Sequence, residues 1–124
     1  MKNEPTLQNL SEFENKSLLI ADDDNPFRER LARAMEKKGF DVIQAESVKK
    51  GIDSVLSKKP GFAVVDLRLG DGNGLEVVKQ IQMSNTLSRI IMLTGYGNIP
   101  TAVAAIKEGA IDYLAKPADA DDVE

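Results

Sequence analysis

This 124-residue sequence predicts an α/β fold built on a doubly wound parallel sheet of five strands in the order 2-1-3-4-5. Three observations carry the prediction. Short, unbroken apolar runs recur along the chain and suit strands buried on both faces. Segments with apolar residues at helical spacing alternate with those runs. Alternation of strands with helices of about 10–15 residues implies right-handed crossovers, a parallel sheet and helices on both of its faces.

Each element has its own signal. Residues 1–16 are polar except for Leu7, Leu10 and Phe13; they read as a flexible N-terminal arm, with a short amphipathic turn near Pro5 as the alternative. Leu18–Ala21 is the first apolar run and ends in Asp22-Asp23-Asp24. Asn25-Pro26 reads as an N-cap followed by proline at the first helical position. Phe27, Leu31, Ala34 and Met35 then share a face, and Gly39 marks the stop. Asp41–Ala45 is a more polar strand, hence an edge. Ser47 caps a helix with Val48, Ile52, Val55 and Leu56 on one side, ended by Lys59-Pro60-Gly61. Phe62–Val65 is the most apolar strand and stops at Asp66. A glycine-rich loop, residues 70–74, leads to a helix with Leu75, Val78 and Ile81 inward. Ile90–Leu93 ends at Thr94. Ile99, Val103 and Ile106 mark a helix closed by Gly109, and Asp112–Ala115 is a fifth strand ending at Lys116-Pro117. The acidic stretch from Asp119 to Glu124 reads as the first turn of a further helix, which so few residues cannot hold alone.

Composition narrows the function. A net charge of −4 argues against a nucleic-acid surface on this segment. No apolar run approaches the roughly 20 residues that span a bilayer, and the start is too polar for a secretory signal. The absence of cysteine fits a reducing, cytoplasmic setting, and the absence of histidine removes histidine acid–base chemistry and most zinc sites.

The reactive residues fall where such sheets bind ligands. Asp22-Asp23, Asp66, Thr94 and Lys116 stand at the carboxyl ends of four strands. Ligands of open parallel sheets sit outside those ends, at the point where strand order reverses. In the order 2-1-3-4-5, strands one and three are neighbours there, so Asp22, Asp23 and Asp66 converge. Clustered carboxylates without histidine or cysteine favour a hard cation such as Mg²⁺, with Mn²⁺ as a substitute. A cation relieves their repulsion and leaves Asp66 ionised as a nucleophile, able to form an acyl phosphate. Lys116 and the Thr94 hydroxyl can then neutralise and hydrogen-bond the transferred group. Taken singly each feature has a plainer reading, Asp24 as a helix cap and Asp22-Asp23 as a solvated strand end; their shared edge raises the functional one.

Together, Asp22-Asp23 after an apolar strand, Asp66 after Ala63-Val64-Val65, Thr94-Gly95, Tyr113 and Lys116-Pro117 resemble the receiver domain of two-component response regulators, a flavodoxin-like fold. The resemblance covers residues 17–124. The stretches AVVDLRLGDGNGLEVV, LTGYGNIPTAVAAIKEGA and DYLAKPADADD look more narrowly like the RegA/PrrA/ActR group of redox-responsive transcription regulators. The resemblance implies that Asp66 is the phosphoacceptor and that a sensor histidine kinase is the donor. It implies Mg²⁺ ligation by Asp23, Asp66 and the backbone carbonyl of Arg68, supported by Asp22. Thr94 and Tyr113 would form the switch, the Lys116–Pro117 bond would be cis, and Arg68 and Tyr96 would tune dephosphorylation. The domain would catalyse only its own phosphorylation and dephosphorylation. Phosphorylation would favour a homodimer through the face of the fourth helix, fifth strand and fifth helix, although the fifth helix is truncated here. DNA contact would come from a C-terminal helix-turn-helix domain outside this segment. A haloacid-dehalogenase-like phosphatase, with a D-x-D motif in Asp22-Asp23-Asp24, and a pseudo-receiver that binds partners without phosphorylation are the competing classes.

Overall fold

The computed structural model describes residues 16–84, 88–94, 103 and 112–115. A five-stranded parallel sheet is formed by β1 (Ser17–Ala21), β2 (Asp41–Ala45), β3 (Phe62–Asp66), β6 (Arg89–Thr94) and β7 (Asp112–Ala115). A two-residue hairpin of β4 (Arg68–Leu69) and β5 (Gly72–Asn73) lies between β3 and the helix that follows it. The sheet order is β2-β1-β3-β6-β7, the predicted 2-1-3-4-5 once the hairpin is set aside, and the polar second strand is the edge.

The first three helices are α1 (Asn25–Lys37), α2 (Val48–Lys58) and α3 (Leu75–Ser84). Alternation along the strands divides the core in two. Leu18 and Ile20 face α1 with Phe27, Leu31 and Met35. Leu19 and Ala21 face the opposite layer, with Val55 of α2 and Val77, Val78 and Ile81 of α3. Leu19 and Ile20 are fully buried, each contributing about 1.5–3 kcal/mol through burial.

The ends of α1 follow local chemistry. Asp24, not Asn25, is the N-cap: its carboxylate accepts from the Phe27 N–H at 3.1 Å. Aspartate serves this role as well as asparagine, and proline sits comfortably in the first turn, where no helical acceptor awaits its missing N–H. At the other end the Gly39 N–H donates to Glu36 O and the Phe40 N–H to Met35 O, with Gly39 at φ 102°. That is a Schellman closure, and glycine supplies the positive φ at little cost.

Two helical faces differ from expectation. On α2, Leu56 is 55% exposed, and Gly51 takes the inward position against Val77. On α3, Val77 is fully buried beside Val78, while Leu75 is only partly buried. Helical spacing places a residue to within one neighbour, and the close approach of α2 to α3 selects the smaller side chain at the contact. The N-terminal arm to residue 15, the fifth helix and most of the predicted helix over 99–109 lie outside the described residues; Val103 is helical and exposed.

Candidate functional site

The register of the central strands builds the site. Ala21 of β1 pairs with Val65 of β3, so Asp22 and Asp66 leave neighbouring strands at the same level. Asp66 pairs with Leu93 of β6, which sets Thr94 one residue further along that strand. Carboxylate oxygens of Asp22, Asp23 and Asp66 all lie within 4.8 Å of one another. Asp22 is fully buried and Asp66 nearly so, while Asp23 faces solvent.

Backbone amides orient two of the three acids. Asp22 Oδ1 accepts from the Asp24 N–H at 2.9 Å, and Asp66 Oδ1 accepts from the Arg68 N–H at 3.1 Å. The Asp22 backbone is fixed as well: its N–H donates to Ala45 O at 3.0 Å. Its carbonyl accepts from the Arg28 guanidinium at 2.9 Å.

Sequence reasoning missed Arg28, which lies buried in the first turn of α1. Its guanidinium also donates to Asn25 Oδ1 at 2.6 Å and to Gln44 Oε1 at 2.9 Å. One side chain thereby joins the end of β1, the start of α1 and the edge strand β2. A signal was present: Arg28 lies between Phe27 and Leu31 on an apolar helical face, where an unpaired charge is disfavoured.

Two further residues shape the loop after Asp66. Gly74 stands so close that a side chain there would overlap the Asp66 carbonyl oxygen. Asp71, at the hairpin turn, accepts from the Val48 N–H at 2.7 Å and the Lys49 N–H at 3.2 Å. The Val48 bond, against the opposing effect of desolvation and with a lesser contribution from the Lys49 bond, holds the Asp71 carboxyl below its usual range.

The donor set is all oxygen, with two shielded carboxylates and one exposed, and it fits a hard divalent cation. Asp24 is not part of it, because its carboxylate caps α1. The D-x-D reading, which needs Asp24 as a working acid, loses its second residue. Among the other predicted site residues, Thr94 closes β6 with its backbone paired to Ala115, and Tyr113 pairs with Met92 inside β7. Tyr96, Lys116 and Pro117 lie outside the described residues. No helix among the described residues is long and apolar enough to cross a membrane.

Known proteins share this arrangement. The family model for the response regulator receiver domain matches residues 18–124. The acid tolerance regulatory protein ActR of Sinorhizobium medicae is 61% identical over 109 residues, covering 88% of this chain and 56% of that protein. The photosynthetic apparatus regulatory protein RegA of Rhodobacter capsulatus is 58% identical over 109 residues, covering 88% of this chain and 59% of its own length. The chain thus spans less than two thirds of these curated relatives. A response regulator crystal structure from Burkholderia pseudomallei, with a phosphorylated aspartic acid, calcium ion and citrate, superposes with a TM-score of 0.82 at 38% identity. That match covers 88% of this chain and 64% of the other. A CheY-like receiver domain from Methanospirillum hungatei also gives 0.82, at 26% identity, covering 89% and 88% of the two chains. Sheet order, acidic edge and sequence agree: the chain belongs to the response regulator receiver domain family.

Proposed function

We propose that this receiver domain accepts a phosphoryl group on Asp66 from the phosphohistidine of a sensor kinase. The observation that carries the proposal is the convergence of Asp22, Asp23 and Asp66 within 4.8 Å at the switch point of the sheet. This chain has no histidine, so the donor phosphohistidine lies outside this segment. In the transfer, an Asp66 carboxylate oxygen forms a bond to phosphorus as the donor's P–N bond breaks, its electron pair going to the imidazole nitrogen.

Mg²⁺ fits the acidic cluster, with Mn²⁺ as its substitute, and would supply charge neutralisation for the acids and the phosphoryl oxygens. Asp23, Asp66 and the Arg68 carbonyl are the proposed ligands, with Asp22 in support. The Arg68 N–H holds Asp66 Oδ1 in place while the other carboxylate oxygen attacks. Lys116 and Thr94 are assigned to the phosphoryl oxygens, and Tyr113 to the rotamer change that follows Thr94. A cis Lys116–Pro117 bond and the tuning of phosphoryl loss by Arg68 and Tyr96 belong to the same proposal. The domain catalyses no reaction beyond its own phosphorylation and dephosphorylation.

The whole protein is proposed to be a cytoplasmic transcription regulator, with DNA contact through an output domain outside this segment; the relatives' names, which call them regulatory proteins, support a regulatory role. A phosphorylation-dependent homodimer through the fourth helix, fifth strand and fifth helix belongs to the same proposal. The phosphorylated aspartic acid and bound cation of the similar Burkholderia protein support the reading. Incubation with a small-molecule phosphodonor and Mg²⁺ should add one phosphoryl mass to the wild-type chain and none to Asp66→Asn. No addition to wild type overturns the proposal, and addition to the variant misplaces the acceptor.

A further inference from the structure

The segment that follows Asp66 is held at more than one point. It leaves β3, turns through the β4–β5 hairpin with Arg68 opposite Asn73 and Leu69 opposite Gly72, and enters α3. A two-stranded hairpin with two residue pairs is marginal by itself. What it is fastened to therefore decides how firmly it stands. Leu69 is buried in the core, and Asp71 at the turn reaches 22 and 23 residues back to the first turn of α2.

The hairpin also borders the acidic pocket. Gly70, beside Asp71, lies so near Asp23 that a Cβ there would stand 3.6 Å from Asp23 Oδ2. Arg68, at the other end of β4, donates its N–H to Asp66 Oδ1. One small element thus bonds to Asp66 and passes beside Asp23, and Asp71 is its tie to the helical layer.

We propose that Asp71 is a positioning residue for the Asp66 site, pinning the hairpin to α2 so that Arg68 stays aligned with Asp66. The inference rests on the receiver reading, because it concerns how that site is held. The anchor is well matched: an aspartate carboxylate spans the first two N–H groups of a helix, where the helix dipole favours negative charge. The plainer role, a helix cap and nothing more, is already filled, since Ser47 Oγ accepts from the Lys50 N–H at 3.1 Å. Asp71 adds a link to a distant segment that a local cap does not make.

Ser47 supplies the control. Ser47→Ala weakens the α2 terminus without touching the hairpin, whereas Asp71→Ala does both. The 124-residue chain carrying each change, with Asp71→Asn as the conservative variant, is titrated with Mg²⁺ alone and followed by amide NMR. Exchange of the Arg68 amide is measured separately without metal, and urea midpoints record stability. Asp71→Ala is expected to weaken Mg²⁺ binding about tenfold, the lower end for residues that support metal ligands. It should also speed exchange at Arg68. Ser47→Ala should lower the urea midpoint and leave both other readouts unchanged, and Asp71→Asn should fall between wild type and Asp71→Ala. The inference is overturned if Asp71→Ala matches Ser47→Ala in Mg²⁺ affinity and Arg68 exchange. A wild type that binds no Mg²⁺ overturns the receiver reading instead, while the metal-free exchange comparison still decides whether Asp71 holds the hairpin.

Discussion

The carbonyl oxygen of Asp66 occupies the space that a side chain on Gly74 would need. That approach brings the start of α3 against the end of β3, and the Gly74 N–H donates to Leu67 O at 2.8 Å in the same turn. Gly74→Ala must therefore push the Asp66 backbone or the first turn of α3 aside. Overpacking of this kind costs about 1–3 kcal/mol, and the rigid obstacle here places Gly74→Ala at the upper end. A urea titration checks the stability loss. The phosphorylation rate should fall as well, because the displaced group belongs to the acceptor residue itself.

Gly51 poses a softer version of the same problem. A Cβ there would stand 3.1 Å and 3.4 Å from the two Val77 methyl carbons. Alanine gains about 0.5–1 kcal/mol over glycine inside a helix, while Val77 must shift by a few tenths of an ångström. Gly51→Ala should be close to neutral. Gly51→Leu should separate α2 from α3 and cost about 3 kcal/mol, the upper end of the usual range of core overpacking. Denaturation midpoints of the two variants test the contrast.

These glycines show where the sequence was legible and where it was not. Sheet order, edge strand, Ser47 cap and the meeting of Asp22, Asp23 and Asp66 followed from periodicity and from residues at strand ends. Those are local signals joined by one topological rule. Periodicity places Leu56 inward and misses the inward Gly51, because spacing on a helix does not say how near the next helix comes. The roles of Arg28, Asp71 and Gly74 depend on partners in other elements, such as Gln44, Val48 and Asp66. A loop rich in glycine offers no period from which such partners could be read. The hairpin of β4 and β5 was hidden for the same reason.

Asp71 gives a pH dependence with a definite sign. The Val48 N–H, and less strongly the Lys49 N–H, favour its ionised form and lower its pKa in the folded chain. The stabilisation is present above the unfolded value, about 3.9 for aspartate, and is lost as pH falls through the lower folded value. The urea midpoint of wild type should exceed that of Asp71→Asn most clearly at neutral pH. The gap should close as pH drops below about 4, the ordinary aspartate range. An NMR titration of the Asp71 carboxyl carbon should give a midpoint below that of an unfolded peptide.

Arg28 joins three elements by hydrogen bonds to Asp22 O, Asn25 Oδ1 and Gln44 Oε1. It is buried, and an ion pair with Glu29 at 3.8 Å on the exposed side adds little. Arg28→Met leaves the Asp22 carbonyl without this donor while filling most of the volume. A cost of about 2–3 kcal/mol is expected, the scale of lost hydrogen bonds to a charged group. Arg28→Lys should recover only part of it, because an ammonium lacks the fixed fork that serves three acceptors. Stability of both variants, read beside their phosphorylation rates, separates loss of fold from loss of alignment at Asp22.

The acidic cluster sets stability against metal binding. Three carboxylates within 4.8 Å repel one another in the metal-free chain, and a bound cation reverses that cost. Asp23 is the exposed member, so water screens its share of the repulsion, and Asp23→Asn should stabilise the metal-free chain by only about 1 kcal/mol. Mg²⁺ at 100 times its dissociation constant should stabilise wild type by about 2.7 kcal/mol, and a chelator should remove that gain. In Asp23→Asn the same Mg²⁺ concentration should give a much smaller increment, because a neutral amide is a poorer ligand for a hard cation. Thermal unfolding with and without Mg²⁺ reads both effects in one experiment. A variant that loses metal-free stability yet keeps the full Mg²⁺ increment would show that Asp23 supports the loop and does not ligate the cation.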